Sequence, residues 1–307
     1  MQHRAAGSII HGMTAPLLQA TGLERTDQGS ARLADFDLRL ERGEVVGLLG
    51  VNGAGKSTAL ALLSGALAPS RGRVEVLGRN LHASPSVRHH IGLLPERAPL
   101  YPQLTVEENL DFAGRLRGLR GKALSQARNK MVEQLDLGGF QRRLCSRLSR
   151  GMAQRAAIAQ ALIHSPDILI LDEPTAGLDP AQAQELRNLI RRVSPDCAVL
   201  LASHILEDME QLCSRVVVLS RGRKVAEQSL KDGSSLRVRL GRPPEPGSGF
   251  LTALPGVTAA TEQGDGWYLL RVQTPPESLA PHMAAWELQA LLPTRYSLQS
   301  LLAEALE

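Results

Sequence analysis

Val45-Val46-Gly47-Leu48-Leu49-Gly50-Val51-Asn52-Gly53-Ala54-Gly55-Lys56-Ser57-Thr58 is the stretch that decides the fold. Val45 to Leu49 is an uncharged run with the length and composition of a buried strand. Gly50 to Ser57 then fits GxxxxGK(S/T), and a helical pattern runs from Ser57 to about Leu67, where Pro69, Ser70 and Gly72 end it. Strand, glycine-rich loop and helix, in that order, is the setting this motif requires. The glycines let successive backbone N–H groups turn inward around phosphate oxygens, and the helix N-terminus adds unpaired donors and a favourable dipole. Lys56 places a positive charge on the β- and γ-phosphates, and the Ser57 hydroxyl is a ligand for Mg²⁺. Gly50, Val51, Asn52, Gly53, Ala54, Gly55, Lys56, Ser57 and Thr58 are therefore the candidate residues for binding a nucleoside triphosphate.

Working outward, Ile168-Leu169-Ile170-Leu171-Asp172-Glu173-Pro174 is a second apolar strand, and it ends on two carboxylates. Open α/β sheets bind ligands at the carboxyl ends of their strands, so these acids belong beside the phosphates. Alone the run is weak evidence, since many strands end in Asp-Glu; after a phosphate loop it is strong. Asp172 is the candidate for holding Mg²⁺ through water, and Glu173 for orienting and activating the attacking water. Leu148-Ser149-Arg150-Gly151-Met152 lies upstream of this strand, Ala176-Gly177-Leu178-Asp179-Pro180 just downstream, and His204 directly follows the strand Val199 to Ser203. A lone histidine is more often structural than catalytic, but its place at a strand's carboxyl end reverses that expectation here.

Strands alternating with helices argue for an α/β core with parallel strands. Val74 to Leu77 is a further short strand, and Val216 to Leu219, Ser220-Arg221-Gly222 and Lys224 to Ala226 form a hairpin. The stretch Val106 to Gln160 is mostly helical in pattern, broken at Gly118 to Gly121 and at Gly138-Gly139, with Pro166 closing it; this predicts a helical subdomain over about 100–160. Composition breaks at Gly233-Ser234-Ser235 and again from Arg242 to Gly247. Beyond lie strand-like runs at Val257 to Thr261 and Trp267 to Val272 and a helix from Ser297 to Leu306, which together predict a small α+β domain. The expected organisation is a loose extension over 1–15, a phosphate-loop domain over 16–232 and the accessory α+β domain over 233–307.

A chain of 307 residues with 43% hydrophobic and 21% charged residues has room for one large core and one small one. No apolar run reaches the ~18 residues needed to span a bilayer, and the N-terminus lacks a signal peptide's apolar region, so a cytoplasmic protein is expected. Cys145, Cys197 and Cys213 show no CxxC spacing and read as reduced core thiols. From Asp111 to Arg155 eleven Lys/Arg stand against three Asp/Glu. That segment is either a solvated helical surface or a face held near an anionic membrane leaflet or acidic partner; no groove-reading motif supports nucleic acid, and none is expected as a partner.

With these motifs in this order, the stretch from Leu17 to Glu227 resembles the ATPase domain of ABC transporters. The resemblance implies a mixed-sheet core with an inserted helical subdomain, and ATP with Mg²⁺ as ligands. It implies that Ser149, Arg150, Gly151 and Met152 form a signature acting in trans, capping the γ-phosphate bound by a second copy. Asp179 then lies at the seam of a head-to-tail homodimer, and His204 contacts the γ-phosphate beside the catalytic Glu173 and Lys56. The signature has Arg150 and Met152 where the family's common form has Gly and Gln; Arg150 is expected to point outward. Ile91-Gly92-Leu93-Leu94-Pro95-Glu96 puts Glu96 where the family usually has glutamine, so a metal ligand is kept but an amide donor is lost. The family's adenine-stacking aromatic has no counterpart in Glu24 to Ser30, and Phe36 reads as core.

The stretch from Ile91 through Leu100-Tyr101-Pro102-Gln103-Leu104-Thr105 is similar to exporter-type ATPases that pair with ABC-2-type permeases, including those of gliding motility and copper-enzyme maturation; the LSxGM signature agrees, and Tyr296 to Leu302 is similar to their C-terminal ending. That implies a protein peripheral on the cytosolic face of the inner membrane, with separate permease subunits as partners. Leu100, Tyr101 and Leu104 are either contacts for a permease helix or ordinary subdomain packing. A soluble relative acting on ribosomes or DNA fits less well, since this chain has one phosphate loop, one signature and no sustained heptads.

Overall fold

The computed structural model describes residues 15–27, 30–230, 234–245, 247–272, 274–294 and 298. The chain forms two compact units, Met1–Cys213 with Leu219–Lys224 and Ser214–Val218 with Val225–Glu307.

In the first unit, β1 (Leu18–Asp27) and β2 (Ser30–Leu40) form an antiparallel hairpin. β2 turns Leu33 into the core and, after a break at Asp35 with its left-handed φ of 47°, alternates to bury Phe36, Leu38 and Leu40, so Phe36 is a packing residue as its strand context suggests. β3 is Val45–Leu49, α1 Lys56–Leu63, β4 Arg71–Val76, β5 Arg79–Asn80 and β6 Ile91–Leu94. The small sheet has the order β2-β1-β4-β5. α1 stops four residues short of the expected end at Leu67. Gly65 takes a left-handed φ of 74° and Leu67 N–H turns back to Ala61 O at 2.9 Å, a glycine stop that acts before Pro69 is reached.

Three helices follow: α2 (Val106–Leu116), α3 (Gly121–Gln134) and α4 (Arg150–Leu162). α2 starts on a reciprocal capping box between Thr105 and Glu108. Next come β7 (Ile168–Asp172), α5 (Pro180–Val193), β8 (Ala198–Ser203) and α6 (Leu206–Leu212), then β9 (Arg215–Ser220) and β10 (Arg223–Ser229), whose residues are divided between the two units. The large sheet has the order β10-β9-β3-β8-β7-β6. Its strands β3, β8, β7 and β6 are parallel and buried along nearly their whole length, which is why they read as unbroken apolar runs. Register sets the chemistry: Leu49 pairs with Ser203 and Asp172 with Ala202, so β3, β7 and β8 finish at one level. Gly50, Glu173 and His204 are the next residues on those three strands.

The second unit holds β11 (Ser234–Leu240), α7 (Gly249–Thr252), β12 (Val257–Gly264), β13 (Trp267–Val272), α8 (Pro276–Met283) and β14 (Leu288–Thr294). The sheet order is β12-β13-β11-β14, with every pair antiparallel, a split βαβ arrangement. Leu236, Val238, Leu240, Tyr268, Leu270 and Val272 face a core closed by Leu251, Leu279 and Met283. The Gly233-Ser234-Ser235 composition break hides the start of β11, whose alternation Leu236-Arg237-Val238-Arg239-Leu240 is the real signal. The extension over 1–15 and the helix from Ser297 to Leu306 fall, but for residues 15 and 298, outside the described residues, as does the boundary at 232–233.

Among the described residues no helix is long and apolar enough to cross a membrane. All three cysteines are free thiols; Cys197 and Cys213 are buried, but Cys145 is only half-buried and receives the Asn109 amide at 3.1 Å, so it is not a core thiol.

Candidate active site

The loop after β3 is shaped by contacts that exclude side chains. A Cβ at Gly50 would stand 2.6 Å from the Leu219 carbonyl oxygen, and one at Gly55, which has a φ of 105°, would stand 2.9 Å from the Arg32 carbonyl oxygen. Gly53 has open space around it but a φ of 82°, so there glycine answers to backbone conformation alone. Lys56 opens α1 and is buried; its ammonium donates to Gly50 O at 2.7 Å and Val51 O at 3.4 Å, and stands 3.7 Å from Glu173 Oε1. The loop thus wraps its own lysine, leaving the first-turn N–H groups of α1 facing a cavity of about 500 Å³.

Val51, Asn52, Gly53, Gly55, Lys56, Ser57, Thr58, Glu96, Asp172, Glu173 and His204 all line that cavity. Gly50 and Ala54 shape the loop from behind instead. Burial pushes the Asp172 carboxyl above its ordinary value, the charges of Glu173 and Glu96 push the same way, and a hydrogen bond from the Ser57 hydroxyl with the Lys56 charge pulls it back. Glu173 has a left-handed φ of 48° and hands its N–H to Ala202 O at 2.9 Å. That bend turns the chain off the sheet and sets Glu173 Oε2 2.9 Å from His204 Nδ1. Ser57, Asp172 and Glu96 are hard oxygen donors gathered at one edge, the kind of set Mg²⁺ uses together with phosphate oxygens and water. Among the described residues no three His, Cys, Asp or Glu side chains form a metal cage by themselves.

The signature residues lie elsewhere. Ser149 caps α4 by accepting the Met152 N–H at 3.3 Å, and Ser149, Gly151 and Met152 line a second cavity of about 170 Å³ with Arg155, Leu178 and Gln182. Gln182 fills the space a side chain on Gly151 would need, and Asp179 caps α5 by accepting the Gln182 N–H at 2.9 Å. The structure therefore brings the signature and Asp179 together, and apart from the phosphate cavity, with which this one shares no lining residue. Arg150 is exposed as expected, yet its guanidinium lies on Gly177, occupying the place a Cβ there would take.

Two groups of residues escaped the sequence reading. Asp208, fully buried on α6, accepts from Arg187 Nε at 2.7 Å, from the Ser203 hydroxyl at 3.3 Å and from the Thr175 hydroxyl. Thr175 and Ser203 flank Glu173 and His204, so this network sits directly behind both. Only the oddity of charges inside the Arg187 and Asp208 helices could have signalled it, and an amphipathic helix hides such charges well. The second group is Arg32 and Arg221, which line the phosphate cavity with Ala31 and Gly222.

A phosphate loop, paired acids and a histidine at the carboxyl edge of a parallel sheet define a nucleoside-triphosphate hydrolase. Residues 33–176 match the family described as ABC transporter. The daunorubicin resistance ATP-binding protein DrrA3 of Streptomyces coeruleorubidus is 35% identical over 260 residues, covering 82% of each chain. A solved ATP-binding subunit of an ABC transporter is 32% identical with a TM-score of 0.64, over 70% of this chain and 91% of that one. The cbiO1 structure from Clostridium perfringens, part of the ABC transporter complex cbiONQ, is 27% identical with a TM-score of 0.65, over 70% and 89%. The chain belongs to the ATP-binding proteins of ABC transporters, and it is an ATPase of that family.

Proposed function

We propose that this ATPase drives a separate ABC-2-type membrane permease in export, through ATP-dependent pairing of two copies. The observation that carries the reading is the separation of Ser149, Gly151 and Asp179 from the phosphate cavity of the same chain. Helix N-terminal donors that serve a phosphate need one within reach, and a second copy placed head to tail supplies it. DrrA3, by its name an ATP-binding protein of drug resistance, supports export. cbiO1, part of a transporter complex, supports partnership with other subunits.

Within one site the residues divide the work by position. Lys56 and the loop N–H groups hold the phosphates. Glu173 takes the proton of the attacking water, held at its angle by His204. Ser57 and Asp172, with Glu96, would hold Mg²⁺, which neutralises charge on the phosphate oxygens when bound. Docking to the permease falls to the exposed apolar patch at the start of the helical segment. Tyr101 and Phe112 stack edge to face at 5.1 Å while 44% and 40% exposed, and Leu116 is 72% exposed one turn further along α2. On this reading the protein is peripheral on the cytosolic face of the membrane.

Glu173→Gln tests the chemistry and the pairing together. Hydrolysis slows by roughly 10²–10⁴-fold while ATP still binds and, by light scattering, converts the monomer to a dimer. Turnover near wild type removes Glu173 from the base role; a protein that stays monomeric with ATP bound refutes the paired site.

A further inference from the structure

The phosphate cavity contains two cations that phosphate chemistry alone does not require. Asp172, Glu173 and His204 line it from the ends of β7 and β8 of the large sheet, Ala31 and Arg32 from β2 of the small sheet, and Arg221 from the β9–β10 turn. Both arginines lie on closely packed backbone. Arg32 O lies so close to the loop that a Cβ on Gly55 or Gly222 would come within 2.9 Å or 2.8 Å of it. Gly222 donates to Ala54 O at 2.9 Å and accepts from Ala34 N–H at 2.8 Å, and Arg221 holds a left-handed φ of 49°. Several other arginines of this unit pair with acids: Arg25 with Asp27, Arg42 with Asp167, Arg128 with Asp111, Arg187 with Asp208. Among the described residues neither Arg32 nor Arg221 has a side-chain hydrogen bond or ion pair.

No Phe, Tyr or Trp lines the cavity, and the His204 ring is held by Glu173. A nucleotide whose terminal phosphate meets Glu173 extends its base toward the β2 end. There the planar groups on offer are guanidinium groups, which stack on a purine face while keeping their charge. The small Ala31 beside Arg32 leaves room for a ring. We infer that Arg32 is the platform on which the base of the bound nucleotide stacks, with Arg221 as a second cation at the same end. The inference rests on this cavity being the ATP site.

Calorimetric titration in the Glu173→Gln background, with Mg²⁺ present, separates base from phosphate by using ATP and inorganic tripolyphosphate as the two ligands. Arg32→Ala weakens ATP about tenfold or more and leaves tripolyphosphate unchanged. Arg32→Tyr restores ATP affinity, because a ring also stacks; Arg32→Lys does not. Equal loss for both ligands, rescue by lysine and not tyrosine, or no loss at all overturns the platform. Lys56→Ala is the independent arm: it weakens both ligands if the cavity is the phosphate site, and if it weakens neither, it is the site assignment that fails. The Arg32 side chain is exposed, so its replacement leaves the fold intact.

Discussion

Asp208→Ala is expected to be among the most damaging single changes away from the nucleotide. Its carboxylate is fully buried and takes the 4% exposed Arg187 at 2.7 Å, with the hydroxyls of Ser203 and Thr175. Removing it leaves a buried guanidinium and two buried hydroxyls without their acceptor. Breaking a buried ion pair from one side costs about 3–5 kcal/mol. The Arg187 charge is not wholly orphaned, because Nη1 still reaches Glu207 at 3.0 Å, but that carboxylate is 58% exposed and well solvated. The low end, about 3 kcal/mol, is therefore expected, which lowers the melting temperature by roughly 6–12 °C in a domain of this size. Calorimetric melting of the variant measures it. The double variant Arg187→Met/Asp208→Leu removes both charges and is expected to recover most of the loss. A fall smaller than about 2 °C in the single variant, or a double variant as unstable as the single, refutes the reasoning. Since Thr175 and Ser203 adjoin Glu173 and His204, Asp208→Asn is expected to lower kcat for ATP more than it changes ATP affinity.

Gly50→Ala places a methyl 2.6 Å from a backbone oxygen, which no rotamer relieves, so ATP binding measured by titration falls sharply while Gly53→Ala, strained but unobstructed, loses less. Burial, with the Arg117 and His89 charges, holds His164 down at about 4 from its ordinary 6.5. Above pH 6.5 both folded and unfolded states are neutral there; as pH falls toward 4 the unfolded chain takes up a proton the folded one refuses, so stability drops across that window. His164→Leu flattens that drop in urea midpoints compared at pH 7 and pH 5. Burial pushes the Cys197 thiol up to about 11 and Cys213 higher still. A thiol reagent at pH 8 therefore reacts first with half-buried Cys145 and reaches the other two only on denaturation.

Legibility followed the range of the physics. The phosphate loop, Asp172, Glu173 and His204 were readable because each stands at the end of a buried parallel strand or directly after it, and such strands announce themselves as apolar runs. The end of α1 was misplaced because Pro69 is the louder signal while Gly65 already does the stopping. β11 was missed because two serines at its start resemble a linker, although its alternation is regular. Asp208 and Arg187 are partners across two helices, and Arg32 owes its place to a sheet separate from the one that carries the acids. Pairings set by tertiary structure leave no periodicity in the sequence.

The segment from Asp172 to Asp179 joins the parts of the site. It begins at the end of β7 with the acids that line the cavity and ends as the cap of α5. Between them Thr175 is tied to buried Asp208, and Gly177 is covered by Arg150 of the signature. Asp179 holds Gln182, and Gln182 abuts Gly151. The geometry around Glu173 in one site is thus connected through a few packed contacts to the signature that, on the proposed pairing, serves the other site. A shift of α4 against α5 has to be taken up by this segment, because Asp208 pins its middle and both ends are hydrogen-bonded. Gly177→Ala tests the link, since its φ of 68° and the overlying guanidinium both oppose a Cβ. If the segment couples the sites, this substitution lowers steady-state hydrolysis in the paired protein but leaves ATP binding to the isolated chain intact. Unchanged hydrolysis would show that Arg150 and Gly177 are neighbours without consequence.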